Sequence, residues 1–351
     1  MLYLLVLLNL SVSCAQSTAN KEGSAVVETS SIANSTAQTD TLKFTSDIRS
    51  IMQDKNGNYW LGSHQEGVCM FDGNSYKYFT TKEGLIDQQV RSIQEDKNGN
   101  IWFGTANGVS MYDGVKFTNY PNDASNPQSD WDVIADDLWF NAGVNEGVNV
   151  FDGMRMNYFS FPKKASVEPF SAHQVTGISK SVDGKVWIAT YDDLFCFDGN
   201  TLFMLDSLQV TLQNGDYVHI RSILADSRGR LWIGNNGIGV MLHHGNTTIN
   251  FSDENGLIHA NSGRNGDHSP AGTLEHVFAI KEDAVGNIWF ADRDAGVWRF
   301  DGENMTNYLI AEGASNPMAW CIYTDNKGNL LFGATDGHVY KFSGDSFTEF
   351  F

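Results

Sequence analysis

Beyond the first forty or so residues, the apolar positions fall in short runs broken by Gly, Asn and Asp, a pattern that predicts short strands joined by tight turns rather than helices. One order of elements recurs. An apolar strand such as Ile48-Arg49-Ser50-Ile51 or Val90-Arg91-Ser92-Ile93 opens the unit. An Asp-x-x-Gly-Asn turn follows, where Gly accepts a positive φ and Asp bonds the backbone of its own turn. A second strand carries a Trp. A third ends in an aromatic-Asp-Gly signal, as at Phe71-Asp72-Gly73, Tyr112-Asp113-Gly114 and Phe300-Asp301-Gly302, and Asp-Gly is a preferred hairpin pair. A fourth, outer strand brings aromatic residues such as Tyr76, Tyr78 and Phe79, or Phe117 and Tyr120.

The unit repeats seven times. Asp54-Lys55-Asn56-Gly57-Asn58-Tyr59-Trp60 returns from Asp96, Asp183, Asp226, Asp283 and Asp325, and a decayed copy occupies Ala135-Asp136-Asp137-Leu138-Trp139. The repeat Trp stands at Trp60, Trp102, Trp139, Trp187, Trp232 and Trp289, with Leu331 in the seventh place. The mean repeat of about 44 residues is the size of a four-stranded propeller blade. Four such strands cannot cover an apolar, Trp-bearing sheet alone, so each sheet must stack on its neighbours. The expected fold is therefore all-β, a seven-bladed β-propeller of four-stranded antiparallel blades spanning 47–351, with residues 41–44 either adding to the last blade or leading in.

Composition narrows the partners. Lys and Arg number 23 against 42 Asp and Glu, a net charge of −19. This excludes nucleic acid as an expected ligand, because phosphate binding needs clustered cations, and it argues against a basic lipid-binding face. Residues 2–10 form an apolar run of signal length, too short to span a bilayer. Ser11-Val12-Ser13-Cys14 after it resembles a bacterial lipoprotein signal, which implies an acyl anchor on Cys14; Ser13-Cys14-Ala15 also fits an ordinary signal-peptidase site. Residues 1–16 are thus read as a signal segment and 17–46 as a disordered, Ser/Thr-rich tether. The expected location is extracytoplasmic, with membrane contact only through lipid on Cys14. Cys69, Cys196 and Cys321 are far apart and odd in number, so free buried thiols are expected.

The Asp-x-x-Gly-x-x-Trp and aromatic-Asp-Gly copies resemble the two-component regulator propeller repeat of exported bacterial proteins, including sensor regions of hybrid histidine kinases. Such sensors bind glycan breakdown products outside the cell and signal through an attached kinase. The resemblance therefore implies a sensory or ligand-binding propeller. The seven repeats are about half the number in those sensors, and the chain carries no kinase or receiver segment, so a signalling partner is expected. Streptogramin lyase, another seven-bladed propeller, uses His, Glu and magnesium, but its motif has no residue-by-residue match here.

Propeller ligands usually meet one face of the ring, where loops gather round the axis. Candidate residues there are His64 in a within-blade loop and Asp47, Gln89, Asp132, Gln174, His219, His276 and Trp320 leading the seven innermost strands. Arg49, Arg91 and Arg221 share one register just beyond. Arginines so placed either grip a carboxylate or sulfate bidentately, or pair with an Asp or Glu of the next blade. The repeat Asp lacks the ligand order of a calcium loop: position six from Asp54 is Tyr59 and position twelve is Gln65. No metal and no cofactor are expected. An insertion at 255–276 holds His259, His268, Glu275 and His276, and long loops often serve binding or catalysis. The leading expectation is a non-catalytic propeller that binds an acidic oligosaccharide, another small molecule or a protein partner at the channel mouth. The alternative is a lyase or hydrolase using His268, Glu275 or His276.

Overall fold

The computed structural model describes residues 27–28, 38–123, 125, 127–162, 174–205, 218–262, 268–311 and 316–351. The leader at 1–16, Cys14 within it and most of 17–37 lie outside the described residues. Seven antiparallel sheets follow one another along the chain, each built on a meander in sequence order. In blade 1 the strands are Ile48–Gln53, Tyr59–Ser63, Val68–Phe71 and Tyr76–Phe79. The innermost strands of blades 1 and 2, and those of blades 4 to 7, pack side by side in order, and the last, Ala319–Thr324, returns to the first. One four-residue helix, Phe251–Glu254, occurs among the described residues, and no described helix is long and apolar enough to cross a membrane.

The repeat motif has a definite chemistry. Asp54 Oδ1 accepts the backbone N–H groups of Asn56 and Asn58, and Oδ2 accepts the Asn58 amide and the Trp60 indole N–H at 2.9 Å. Gly57 sits at φ +90°, which an L side chain resists. The carboxylate thus locks the turn and aims the Trp into the next blade, and the same indole bond recurs from Trp102 to Asp96, Trp232 to Asp226 and Trp289 to Asp283. The tryptophans then meet aromatics of the following blade, as Trp60 meets Phe103 and Trp102 meets Phe151. In blade 4 the turn begins at Ser181, whose N–H bonds the Lys185 carbonyl as Asp54 bonds Asn58; Asp183 therefore stands mid-turn and not at the head of the repeat.

The ring closes by packing. The C-terminus supplies all four strands of blade 7 and the N-terminal side all four of blade 1. Leu331 leaves Asp325 without an indole donor, and the Tyr59 hydroxyl of blade 1 donates to it instead at 2.7 Å. Phe351 packs edge-on against Tyr59, Phe71 and Tyr76, while Phe44 is buried in the same cluster. Residues 41–44 therefore lead into blade 1.

Two expectations need correction. Part of the segment read as a tether belongs to the fold: Gln38–Thr39 pairs with Tyr76–Lys77, and Val27–Glu28 pairs with Thr118–Asn119. Outer blade edges carry unpaired backbone groups, and a Ser/Thr-rich strand satisfies them whatever its side chains. Among the described residues blade 3 has three strands, Leu138–Asn141, Val148–Phe151 and Met156–Phe159, and no strand in its innermost place. The repeat spacing of 37 residues before Trp139 is the shortest in the chain. Trp131 stacks instead on Phe159 and Phe197, and the Trp139 indole donates to the Ile134 carbonyl in the absence of the repeat Asp. Among the described residues the three cysteines are free, and burial pushes each thiol up to about 12.

Candidate functional site

Each of the six innermost strands carries a register shift between its first and third residues. The bulged second residues are Arg49, Arg91, Thr176, Arg221, Phe278 and Trp320. A bulge leaves its residue outside the regular ladder and re-aims the side chain. All six line one cavity of about 210 Å³. Gln89, Gln174, Asn141 and Tyr191 also line it, so every blade contributes and the cavity lies at the mouth of the central channel.

The cations converge here in an otherwise acidic chain. The Arg49 guanidinium lies 4.0 Å over the Trp320 ring and 3.4 Å from Asp47 of its own strand; among the described residues its Nε and the Trp320 Nε1 are buried without a hydrogen-bond partner. Arg91 donates from Nε and Nη2 to Gln89 Oε1 and from Nη1 to the Gly143 carbonyl. Arg221 sits 4.5 Å over Phe278 and 5.7 Å over Tyr191. Among the described residues none of the three pairs with an acid of the neighbouring blade: Arg49 uses its own Asp47, Arg91 an amide and a carbonyl, and Arg221 rings. Burial lowers all three guanidinium pKa values, and repulsion from Arg49 lowers those of Arg91 and Arg221 further. An anion at the mouth relieves that repulsion.

The other sequence candidates fall around this cavity. His64 Nδ1 receives the Gln89 amide at 2.9 Å, and burial followed by Arg49 lowers its pKa. His219 stands behind Tyr191, ring to ring at 5.0 Å. Met318, and not Trp320, holds the leading position in blade 7, its carbonyl accepting Thr335 N–H as the Asp47 carbonyl accepts His64 N–H; Trp320 belongs to the arginine register. Asp132 leads no strand, since blade 3 has no inner one. Thr176 and Phe278 join the site as well, at the same register as the arginines. Asn141 and Tyr191 come from second strands and within-blade loops, and only the ring brings them to the axis.

The 255–276 insertion forms a separate network. Buried Glu275 bonds His259 Nδ1 at 2.6 Å and Ser269 Oγ at 2.5 Å. His268 is largely exposed and bonds Asp294, which Arg293 also clamps. His276 is buried, with Nδ1 2.9 Å from Asn236 Oδ1. None of His268, Glu275 and His276 lines the mouth cavity. The insertion also has a structural part, since Leu274 is fully buried and the Thr273 carbonyl accepts the Trp298 indole. Burial, helped by Arg293, depresses His276 to about 4. The unfolded chain then binds a proton at pH 6.5 that the fold refuses. This contribution to stability is complete well above pH 6.5 and is lost as the pH falls through 6.5 towards 4, amounting to about 3 kcal/mol. Thermal melting across that window is expected to show the loss, and His276→Gln to flatten it; an unchanged slope in the variant would assign the acid sensitivity elsewhere.

Three segments of the chain, 43–65, 84–107 and 213–237, match the two component regulator propeller family. No curated protein matches the sequence. Among solved structures, the extracellular domain of a hybrid two component system from B. thetaiotaomicron superposes with a TM-score of 0.59 at 17% identity, covering 84% of this chain and 38% of that one. A second such domain from the same organism gives 0.59 at 19% identity, over 86% and 39%. Virginiamycin B lyase from Staphylococcus aureus gives 0.62 at 15% identity, over 87% and 97%. The chain thus spans under two fifths of the sensor domains, and at these identities the likeness is one of fold. With the repeat motif, the seven sheets and the matched segments in agreement, the chain is a seven-bladed propeller, three segments of which match the two component regulator propeller repeat.

Proposed function

We propose that this propeller is an extracytoplasmic sensory module, held at a membrane by lipid on Cys14, that binds the acidic end of an oligosaccharide at its channel mouth and passes the signal to a separate protein. The observation that carries the reading is the convergence of three bulge-positioned arginines on one axial cavity in a chain of net charge −19. Guanidinium groups match carboxylate and sulfate bidentately. Their backing by Trp320, Phe278 and Tyr191 restricts them before the ligand arrives, which reduces the entropy lost on binding. Gln89, Gln174, Asn141 and Thr176 add polar groups suited to sugar hydroxyls. The fold likeness to extracellular domains of two component systems supports the sensory part.

Titration calorimetry of uronic-acid oligosaccharides against neutral sugars of the same length tests the reading. The acidic series is expected to bind at least ~10-fold more tightly, a difference of about 1.4 kcal/mol, with the preference shrinking as salt rises. Equal binding of both series, or of neither, would refute it.

A further inference from the structure

The missing inner strand of blade 3 leaves a cleft. A cavity of about 300 Å³ opens between the inner strands of blades 2 and 4, where that strand would otherwise run. It shares Arg91, Asn141, Val175 and Thr176 with the channel mouth, so the two spaces adjoin. Ser92, Gln94, Gly177 and Lys180 line only the cleft.

Side chains from both neighbouring blades reach across the gap. Ser222 of blade 5 donates its hydroxyl across the blade boundary to the Val277 carbonyl of the next inner strand. Ser92 holds the same register in blade 2 and faces no next strand; its Oγ, like that of Ser50 in blade 1, is buried without a partner among the described residues. Gln94 replaces the buried Met52 of blade 1 and reaches the exposed edge of blade 3, its amide donating to the Trp139 carbonyl at 2.8 Å. Lys180 spans from blade 4 to the Asp137 carbonyl at 2.8 Å. Side chains thus cap the edge carbonyls that an added peptide strand would need, which disfavours an inserted peptide. What remains is a one-ring-sized space of mixed character, with Trp139, Val175 and Ile178 beside the Ser92 hydroxyl, Gln94, Lys180 and the shared Arg91.

We infer that the blade 3 cleft is a second subsite, holding the sugar residue next to the acidic one bound at the mouth, so that the protein selects an acidic chain of at least two units. The inference rests on the reading of the mouth given above. Each cavity alone is at or below the lower end of the range for small-molecule sites, and only the two together accommodate a disaccharide with room for its linkage.

The test compares galacturonate with its dimer on the whole propeller by calorimetry. The wild type is expected to bind the dimer at least ~10-fold more tightly than the monomer. Gln94→Met with Lys180→Gln installs the residues that blade 1 carries at these registers, Met52 and Gln53. The double variant is expected to keep monomer affinity within about twofold and to lose the dimer's advantage. Arg49→Ala, confined to the mouth, is expected to weaken monomer and dimer alike. Should the double variant not fold, Ser92→Ala serves in its place, with a smaller loss of dimer preference. Equal affinity of monomer and dimer in the wild type, or a dimer advantage that survives the cleft variants, overturns the second subsite while leaving Arg49-dependent monomer binding intact. Failure of every acidic sugar removes both readings, and binding of an extended peptide in place of the sugars overturns the inference directly.

Discussion

Trp232→Ala is expected to destabilise the propeller by about 3–5 kcal/mol, the range for deleting a fully buried Trp. The side chain is wholly buried, with Phe251 of its own blade at 5.0 Å and Phe290 and Phe300 of blade 6 at 5.5 and 5.9 Å. Its removal therefore opens a cavity at the seam between two blades. It also deprives Asp226, itself fully buried, of the indole donor at 2.8 Å, although Arg230 and the turn amides remain. A carboxylate left short of one donor in a dry site adds to the loss. Trp187 of blade 4 provides the internal control. It is only half-buried, and Ser181 occupies the place of the repeat Asp, so Trp187→Ala is expected to cost under about 2 kcal/mol. Denaturant unfolding of both variants measures the difference; equal losses would mean that the Asp–Trp pair is not what holds the blades together.

Arg91→Ala is expected to weaken binding of acidic oligosaccharide by about 2–5 kcal/mol, at least ~30-fold, since it removes a desolvated charge partner from the centre of the site. Arg91 is the arginine shared by the mouth and the blade 3 cleft. Its guanidinium is held at two edges, by Gln89 Oε1 and the Gly143 carbonyl, so its geometry is set before any ligand enters. Stability is expected to change far less than affinity, because the substitution also relieves repulsion between Arg91 and Arg49. Arg91→Lys keeps the charge but loses the planar fork, and is expected to recover only part of the affinity. Calorimetry on the three proteins decides the matter, and an alanine variant within about threefold of wild type would remove the arginine cluster from the site.

The fold was legible because propeller physics is periodic. Asp54, Gly57 and Trp60 recur at fixed offsets since one turn geometry and one indole bond are reused, and repetition makes weak local signals add. The arginine register was legible for the same reason, and applying it to Thr176, Phe278 and Trp320 would have completed the cavity wall. Departures from the repeat were harder to read. The sequence around Ala135 looks like a worn copy of the motif, and nothing in its residue types shows that a whole inner strand is missing. The strands at Gln38–Thr39 and Val27–Glu28 were equally opaque, because edge pairing is satisfied through the backbone.

The chain's own order of residues determined seven radial sheets, their tryptophan seams and three matched arginines, since each of these is a local pattern repeated along one strand or turn. Tertiary structure decided the rest. The bulge turns those arginines inward, closure joins Tyr59 to Asp325 across 266 residues of sequence, and the absent strand converts one blade boundary into a cleft. Each depends on which strands become neighbours around the axis, a relation between distant segments that no short stretch of sequence carries.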